Sequence, residues 1–397
     1  MELKQLRSRL GALAVFRGLL SDPVVEGLCA YLDCRTGNGV RAAVSAYGEF
    51  VSRLYLSEGG DLARHILRCV EEDENVYVRA VGAGKTPPDY MARCVEEELR
   101  TLQAAASLTT EDLTAGLLSA APLPRFGSSS LDLPGLYWKR LNEIGRHGYG
   151  LYARNRMFYL DEDGHIVPVR HPDPIQFSDL VDYERERRLV LDNTLALLGG
   201  RPAANVLLTG DAGTGKSSTI KAVVNELCPQ GLRMIEVRRE QLRRIPALLD
   251  ELSGNPLKFI LFLDDLSFQG GDDSYSALKA VLEGSVSAKS RNVSIYATSN
   301  RRHLVRETFE QREGDDVHRG ETIQEQISLS ERFGLHITFQ KPNKAVYLNI
   351  VRHLAQVEGI GLAEEDLCAQ AERFALERGG RSARVARQFV ESLAARG

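Results

Sequence analysis

The amino-acid sequence predicts an α/β fold: a five-stranded parallel sheet with helices on both faces, preceded by a mainly helical domain and followed by a small helical bundle. Three observations carry that expectation. Short apolar runs at residues 205–209, 234–237, 259–264, 293–298 and 335–339 alternate with helical patterns, and strands that are apolar throughout belong to a parallel sheet buried on both sides. Before about residue 120, apolar side chains recur at three- and four-residue spacing, as in Leu62, Ile66, Leu67 and Val70, which marks helices with one buried face. From 343 to 395 no strand-like run occurs, and the spacing predicts about three helices.

Taken in order, the chain divides into an N-terminal helical domain (1–121), a linker and β-hairpin region (122–172), an α/β core (173–342) and a C-terminal helical lid (343–397). The linker begins in PLPRFGSSSLDLP, residues 122–134, where proline, glycine and serine keep the chain exposed. Two β-prone runs, 157–160 and 165–169, flank Asp161-Glu162-Asp163-Gly164 and predict a hairpin. His171-Pro172-Asp173-Pro174 then breaks the chain ahead of a helix at about 183–198.

The composition, 43% hydrophobic and 26% charged over 397 residues, suits a globular protein of two domains or a little more. A net charge of −4 excludes a general affinity for nucleic acid, so any such contact needs a local basic patch. The six cysteines, Cys29, Cys34, Cys69, Cys94, Cys228 and Cys368, form no C-x-x-C pair and stand beside no histidine at zinc-ligand spacing. They read as thiols in a reducing compartment. The first twenty residues mix basic and apolar side chains at helical spacing, unlike a signal peptide. No stretch approaches the ~18 apolar residues of a membrane span. A cytoplasmic protein without a membrane partner is expected.

Gly210-Asp211-Ala212-Gly213-Thr214-Gly215-Lys216-Ser217 fits the phosphate-binding pattern G-x-x-x-x-G-K-S/T in full, follows an apolar strand, and leads into a helix through Ser218. Glycines let backbone N–H groups curl around phosphate oxygens, and the helix N-terminus adds free donors and a positive dipole end. Lys216 can reach β- and γ-phosphates, and the Ser217 hydroxyl can ligate Mg²⁺, so ATP and Mg²⁺ are the expected ligands. Gly84-Lys85-Thr86 mimics the end of this motif, but Arg79 replaces the first glycine and Pro87-Pro88 follow where a helix should open. That segment reads as a surface loop. The strand at 259–263 ends in Asp264-Asp265, which places two carboxylates at the sheet's C-terminal edge. Asp264 would hold Mg²⁺, through water or indirectly through Ser217, and Asp265 would polarise the attacking water.

This constellation resembles the AAA+ ATPases over roughly 173–397. The resemblance implies further roles. Asn300, at the end of Ile295-Tyr296-Ala297-Thr298-Ser299-Asn300, matches the sensor 1 residue that orients water near the γ-phosphate. Arg332, in Ser330-Glu331-Arg332-Phe333-Gly334, matches the arginine finger that completes a neighbouring subunit's site, with Arg301 or Arg302 as alternatives. Arg384, in Gly380-Arg381-Ser382-Ala383-Arg384, matches the sensor 2 arginine. Phe177-Ser178-Asp179-Leu180-Val181-Asp182-Tyr183 resembles the segment that packs around adenine, with Phe177, Leu180 and Val181 as its contacts. Two departures stand out. Many relatives end the acidic strand in Asp-Glu, whereas Asp-Asp is the pattern of the replication-initiator type. The aromatic pore loop of threading machines is replaced by Arg238-Arg239-Glu240-Gln241-Leu242-Arg243-Arg244, a basic face that is solvated or meets nucleic acid phosphates. The runs TGDAGTGKSS, LFLDDLSF, YATSNRRHL, SLSERFG and GGRSARVARQF together resemble an uncharacterised bacterial family of predicted AAA+ ATPases, a domain of unknown function.

The leading expectation is an oligomeric ATPase that drives assembly or remodelling of a macromolecular partner, protein or nucleic acid, held by the N-terminal domain. The alternative is an ATP-binding switch or scaffold with negligible turnover. The trio Asp265, Asn300 and Arg332 separates the two, because a pure binder does not need it. A small-molecule kinase would need an acceptor site and a lid of its own.

Overall fold

The computed structural model describes residues 2–37, 39–117, 122–266, 268–269, 273–283, 291–300, 305–306 and 331–395. The chain divides into two compact units, Met1–Arg154 with Gly254–Pro256, and Asn155–Ser253 with Leu257–Gly397.

The first unit is helical among its described residues: α1 (Leu3–Gly11), α2 (Pro23–Gly37), α3 (Gly39–Tyr55), α4 (Leu62–Glu72), α5 (Val76–Gly82), α6 (Asp89–Ala106), α7 (Thr110–Thr114), α8 (Leu133–Asn142), α9 (Ile144–His147) and α10 (Leu151–Arg154). Side-chain caps start several of them. Asp22 accepts from the N–H groups of Val24 and Val25 ahead of α2, and Asn75 from those of Tyr77 and Val78 at α5. Each cap satisfies donors that a helix start leaves open. Phe16, Tyr31, Tyr47 and Phe50 are fully buried in the shared core. Buried Glu98 is compensated by the N–H groups of Ala14, Val15 and Phe16. Gly84-Lys85-Thr86 is exposed between α5 and α6, as its prolines require.

The second unit is built on β1 (Met157–Leu160), β2 (Ile166–Pro168), β3 (Val206–Gly210), β4 (Leu232–Glu236), β5 (Lys258–Leu263), β6 (Val293–Ser299) and β7 (Leu335–Phe339). They form one seven-stranded sheet in the order β2-β1-β4-β5-β6-β3-β7. All neighbours are parallel except β1 and β2. The expectation of five strands is thus corrected to seven. The five apolar runs are all present, but the hairpin adds to the sheet instead of standing apart. Met157, Phe158 and Tyr159 pair with Met234, Ile235 and Glu236, which satisfies the open edge of β4 and buries Met157 and Phe158. A separate short ladder joins Phe268–Gln269 to Val305–Arg306.

Helices α11 (Glu184–Leu198), α12 (Lys216–Leu227), α13 (Ile245–Leu252) and α14 (Asp273–Glu283) lie between the strands in sequence. The strands β3, β4, β5 and β6 are almost wholly buried, as a sheet covered on both faces must be. The lid is a bundle of α15 (Lys344–Val357), α16 (Glu364–Glu377) and α17 (Ala383–Ala394) around Tyr347, Val351, Ala371, Ala386 and Phe389. Asn343 and Ser382 cap α15 and α17. Among the described residues, no helix is long and apolar enough to cross a membrane.

Candidate nucleotide-binding site

The glycine loop connects the end of β3 to the start of α12. Gly210 has φ +141° and stands opposite Phe339 on β7, where a β-carbon would lie 2.1 Å from the Phe339 carbonyl oxygen. Gly215, with φ +94°, caps α12 and has open space where a β-carbon would stand. One glycine of the loop therefore fits closely against the sheet, and another borders open space. Lys216 is only 5% exposed. Its Nζ donates to the carbonyl oxygens of Gly210 (2.8 Å) and Asp211 (2.9 Å) and to Asn300 Oδ1 (3.0 Å). Burial holds the lysine below its ordinary pKa, against the opposing pull of Asp265, Asp264 and Asp211.

The two acids follow β5 directly. Ser217 Oγ donates to Asp264 Oδ1 at 2.6 Å. Thr298 Oγ1, from β6, donates to the same oxygen at 2.6 Å and accepts from the Asp265 N–H at 2.9 Å. Asn300 Nδ2 donates to Asp265 Oδ1 at 2.6 Å. One chain of hydrogen bonds therefore runs from Ser217 through Asp264, Thr298, Asp265 and Asn300 to Lys216. Asp265 takes φ +51°, a left-handed conformation that aspartate tolerates better than most residues.

These groups line a cavity of about 510 Å³. Gly213 through Ser218 lie on its wall, whereas Gly210, Asp211 and Ala212 do not. The lid closes part of it. The Gly213 carbonyl accepts from the N–H of Ala383 at 3.0 Å and of Arg384 at 3.4 Å, and Arg384 lines the cavity. Leu180 and Val181 line it too. Phe177 does not line it; its ring packs against the apolar cluster of the sheet instead. Arg332 does not line it either, and is ion-paired with Glu283 at the end of α14. Ser330 and the alternative fingers Arg301 and Arg302 lie outside the described residues.

Sequence reasoning missed several wall residues. Thr298 stands two positions before Asn300, so strand alternation puts both on one face, and that signal was available. Tyr183 closes the segment matched to the adenine contacts, whereas Arg187 had no such signal. Arg187 is 8% exposed and donates to the carbonyl oxygens of Leu180 (2.5 Å) and Asp182, shaping the turn that lines the cavity. Burial pulls its pKa down. Tyr183, at φ +61°, tilts against Phe339 and donates its hydroxyl to the Gln340 carbonyl at 2.6 Å.

The donor set fits a nucleoside triphosphate with a hard divalent cation. A buried ammonium and the amides of an open glycine loop suit phosphate oxygens. A hydroxyl and a carboxylate 2.6 Å apart suit Mg²⁺, which prefers oxygen ligands and keeps part of its water.

A family model described as "Protein of unknown function (DUF815)" matches residues 153–397. No curated protein matches the chain. Among solved structures, the Thermotoga maritima RuvB Holliday junction branch migration motor is similar at 17% identity, covering 55% of this chain and 63% of that one, with a TM-score of 0.37. A mutant of the same motor is similar at 16% identity over 55% and 64%, with a TM-score of 0.38. The chain therefore spans less than two thirds of the length of those structures, and the likeness is loose.

Proposed function

The chain belongs to the DUF815 family, and from that premise we propose that residues 173–397 are a Mg²⁺-dependent P-loop ATPase of the AAA+ class, which drives assembly or remodelling of a macromolecular partner. The observation that carries the reading is the unbroken hydrogen-bond chain from Ser217 to Lys216 through both acids and Asn300. A protein that only holds a nucleotide has no need to tie Asp265 to the phosphate-binding lysine.

In this reading the glycine loop cradles the phosphates with its amides, and Lys216 meets the β- and γ-phosphates. Ser217 and Asp264 would hold Mg²⁺, which supplies charge neutralisation at the phosphate oxygens. Asp265 holds the attacking water and draws its proton, while Asn300 keeps that carboxylate in place. Leu180 and Val181 pack against the base, and Arg384 brings a positive charge from the lid. Arg332 serves the site of a neighbouring copy, so the working form is a homo-oligomer. The helical first unit offers the partner surface.

The test is ATP binding and steady-state phosphate release from the wild type and from Asp265→Asn. The amide cannot draw a proton, so turnover should fall by about 10²-fold or more, with ATP and Mg²⁺ binding kept. Equal turnover in the two would assign the water to another residue. Tight binding without turnover in the wild type, with candidate partners present, would favour the ATP-dependent switch. The same variant, holding its ATP, is the bait for partners.

A further inference from the structure

We propose that Thr298 is a positioning residue of this site: its hydroxyl sets the metal-side carboxylate of Asp264 and, at the same time, the backbone of Asp265. The inference rests on the nucleotide reading above. Nothing in the family resemblance assigns a role to this threonine.

The argument begins with what a hydroxyl can do. It has one proton to give and lone pairs to accept with. Thr298 is 2% exposed, so both capacities must be met inside the protein. The proton goes to Asp264 Oδ1 at 2.6 Å, and the oxygen accepts from the Asp265 N–H at 2.9 Å. The Thr298 carbonyl takes a third bond, from the Leu266 N–H at 2.7 Å. Three consecutive residues of the acidic turn are thus tied to one residue of β6.

That density has a reason in the backbone. Asp265 sits at φ +51°, a region that aspartate visits more readily than most residues but still at some cost, so bonds that hold it there have a use. Thr298 holds the main chain of Asp265, and Asn300, two residues on, holds its carboxylate. Together they fix where the carboxylate points, which is what a water-positioning group needs. On Asp264, Ser217 and Thr298 donate to the same Oδ1, which also takes a longer bond of 3.2 Å from the Asp265 N–H, and Oδ2 accepts no hydrogen bond among the described residues. The Thr298 bond keeps the carboxylate oriented while the Ser217 oxygen serves the metal. A β-branched residue suits the task, because in a strand its χ1 is restricted and the hydroxyl stays aimed.

The experiment compares the full chain carrying Thr298→Val, which keeps the shape and removes the hydroxyl, with Thr298→Ser, which keeps the hydroxyl. Binding of a fluorescent ATP analogue is titrated against Mg²⁺ and repeated in EDTA, and kcat and KM are measured by phosphate release. Thr298→Val should raise the Mg²⁺ half-saturation and lower kcat by about 10- to 100-fold, the usual cost of losing a group that orients a metal ligand. Its EDTA-state affinity should stay within about threefold, and Thr298→Ser should restore both quantities to within about threefold. A Thr298→Val protein with the wild-type Mg²⁺ half-saturation and kcat overturns the proposal. So does a Thr298→Ser protein as defective as Thr298→Val, which would make packing the cause. If Thr298→Val does not fold by circular dichroism, Thr298→Ser and Thr298→Cys, which differ in donor strength, decide by the same Mg²⁺ titration. A wild type that binds Mg-ATP without turning it over refutes the ATPase reading but leaves the Mg²⁺ titration to judge Thr298. A wild type without Mg²⁺-dependent binding overturns both.

Discussion

At the scale of single residues, the site trades solvation for readiness. Lys216 is a cation held in a nearly dry position, and three oxygens share its protons. A buried ammonium is costly unless its partners match it, and a triphosphate is the partner that would repay the cost best. Lys216→Ala should therefore weaken ATP binding by roughly 2–3 kcal/mol, the scale of a charge-assisted hydrogen bond lost from a buried site. Calorimetry that finds unchanged affinity would remove the phosphate-binding assignment. Not every residue here could be read in advance. Lys216 and Ser217 stand in the glycine-loop pattern, and Asp264 and Asp265 end an apolar strand, so both pairs carry a local signal. Thr298 sits in an apolar strand, where threonine reads as an ordinary β-former. Arg187 looks like any solvated arginine on a helix until burial is known. Phe177 packs against the apolar cluster of the sheet, a placement that the resemblance does not foretell.

At the scale of elements, the glycine loop separates two demands that a motif leaves merged. Gly210 meets the backbone of β7, while Gly215 faces open space. A methyl group at Gly210 would collide with a carbonyl that cannot rotate away. Gly210→Ala should lower unfolding free energy by about 2 kcal/mol or more, within the usual cost of overpacking plus a disfavoured φ. Gly215→Ala should cost less stability and more ATP affinity. Urea denaturation and ATP titration of the two variants check the split, and the opposite ranking would show that the loop is placed differently. The strands were legible for a related reason. Runs such as Phe259-Ile260-Leu261-Phe262-Leu263 are buried on both faces, and no amphipathic pattern competes with that signal. The hairpin was legible as a hairpin, because its turn chemistry is local. Its place beside β4 was not, since pairing across about seventy-five residues leaves no local trace.

At the scale of the molecule, the proposal makes the enzyme an assembly. Arg332 is off the cavity wall of its own chain and ion-paired with Glu283; in the proposed assembly it would exchange that carboxylate for another copy's phosphates. Specific activity should then rise with protein concentration. Arg332→Ala should bind ATP nearly normally and hydrolyse it poorly. Mixing it with Lys216→Ala should recover part of the activity, because an intact arginine from one chain can serve an intact loop in the other. Phosphate release from each variant and from the mixture measures this. Absence of recovery in proteins that co-assemble would make Arg332 structural. Crowding of copies raises a hazard that the hairpin answers. A parallel sheet ending at β4 would present a row of open backbone groups, a template for strand addition and for fibrous aggregation. The outermost strand is instead β2, three residues long and closed by Pro168, which has no N–H to offer. On that side the sheet gives an incoming strand almost nothing to extend. Copies can gather at high local concentration with that edge guarded against runaway pairing.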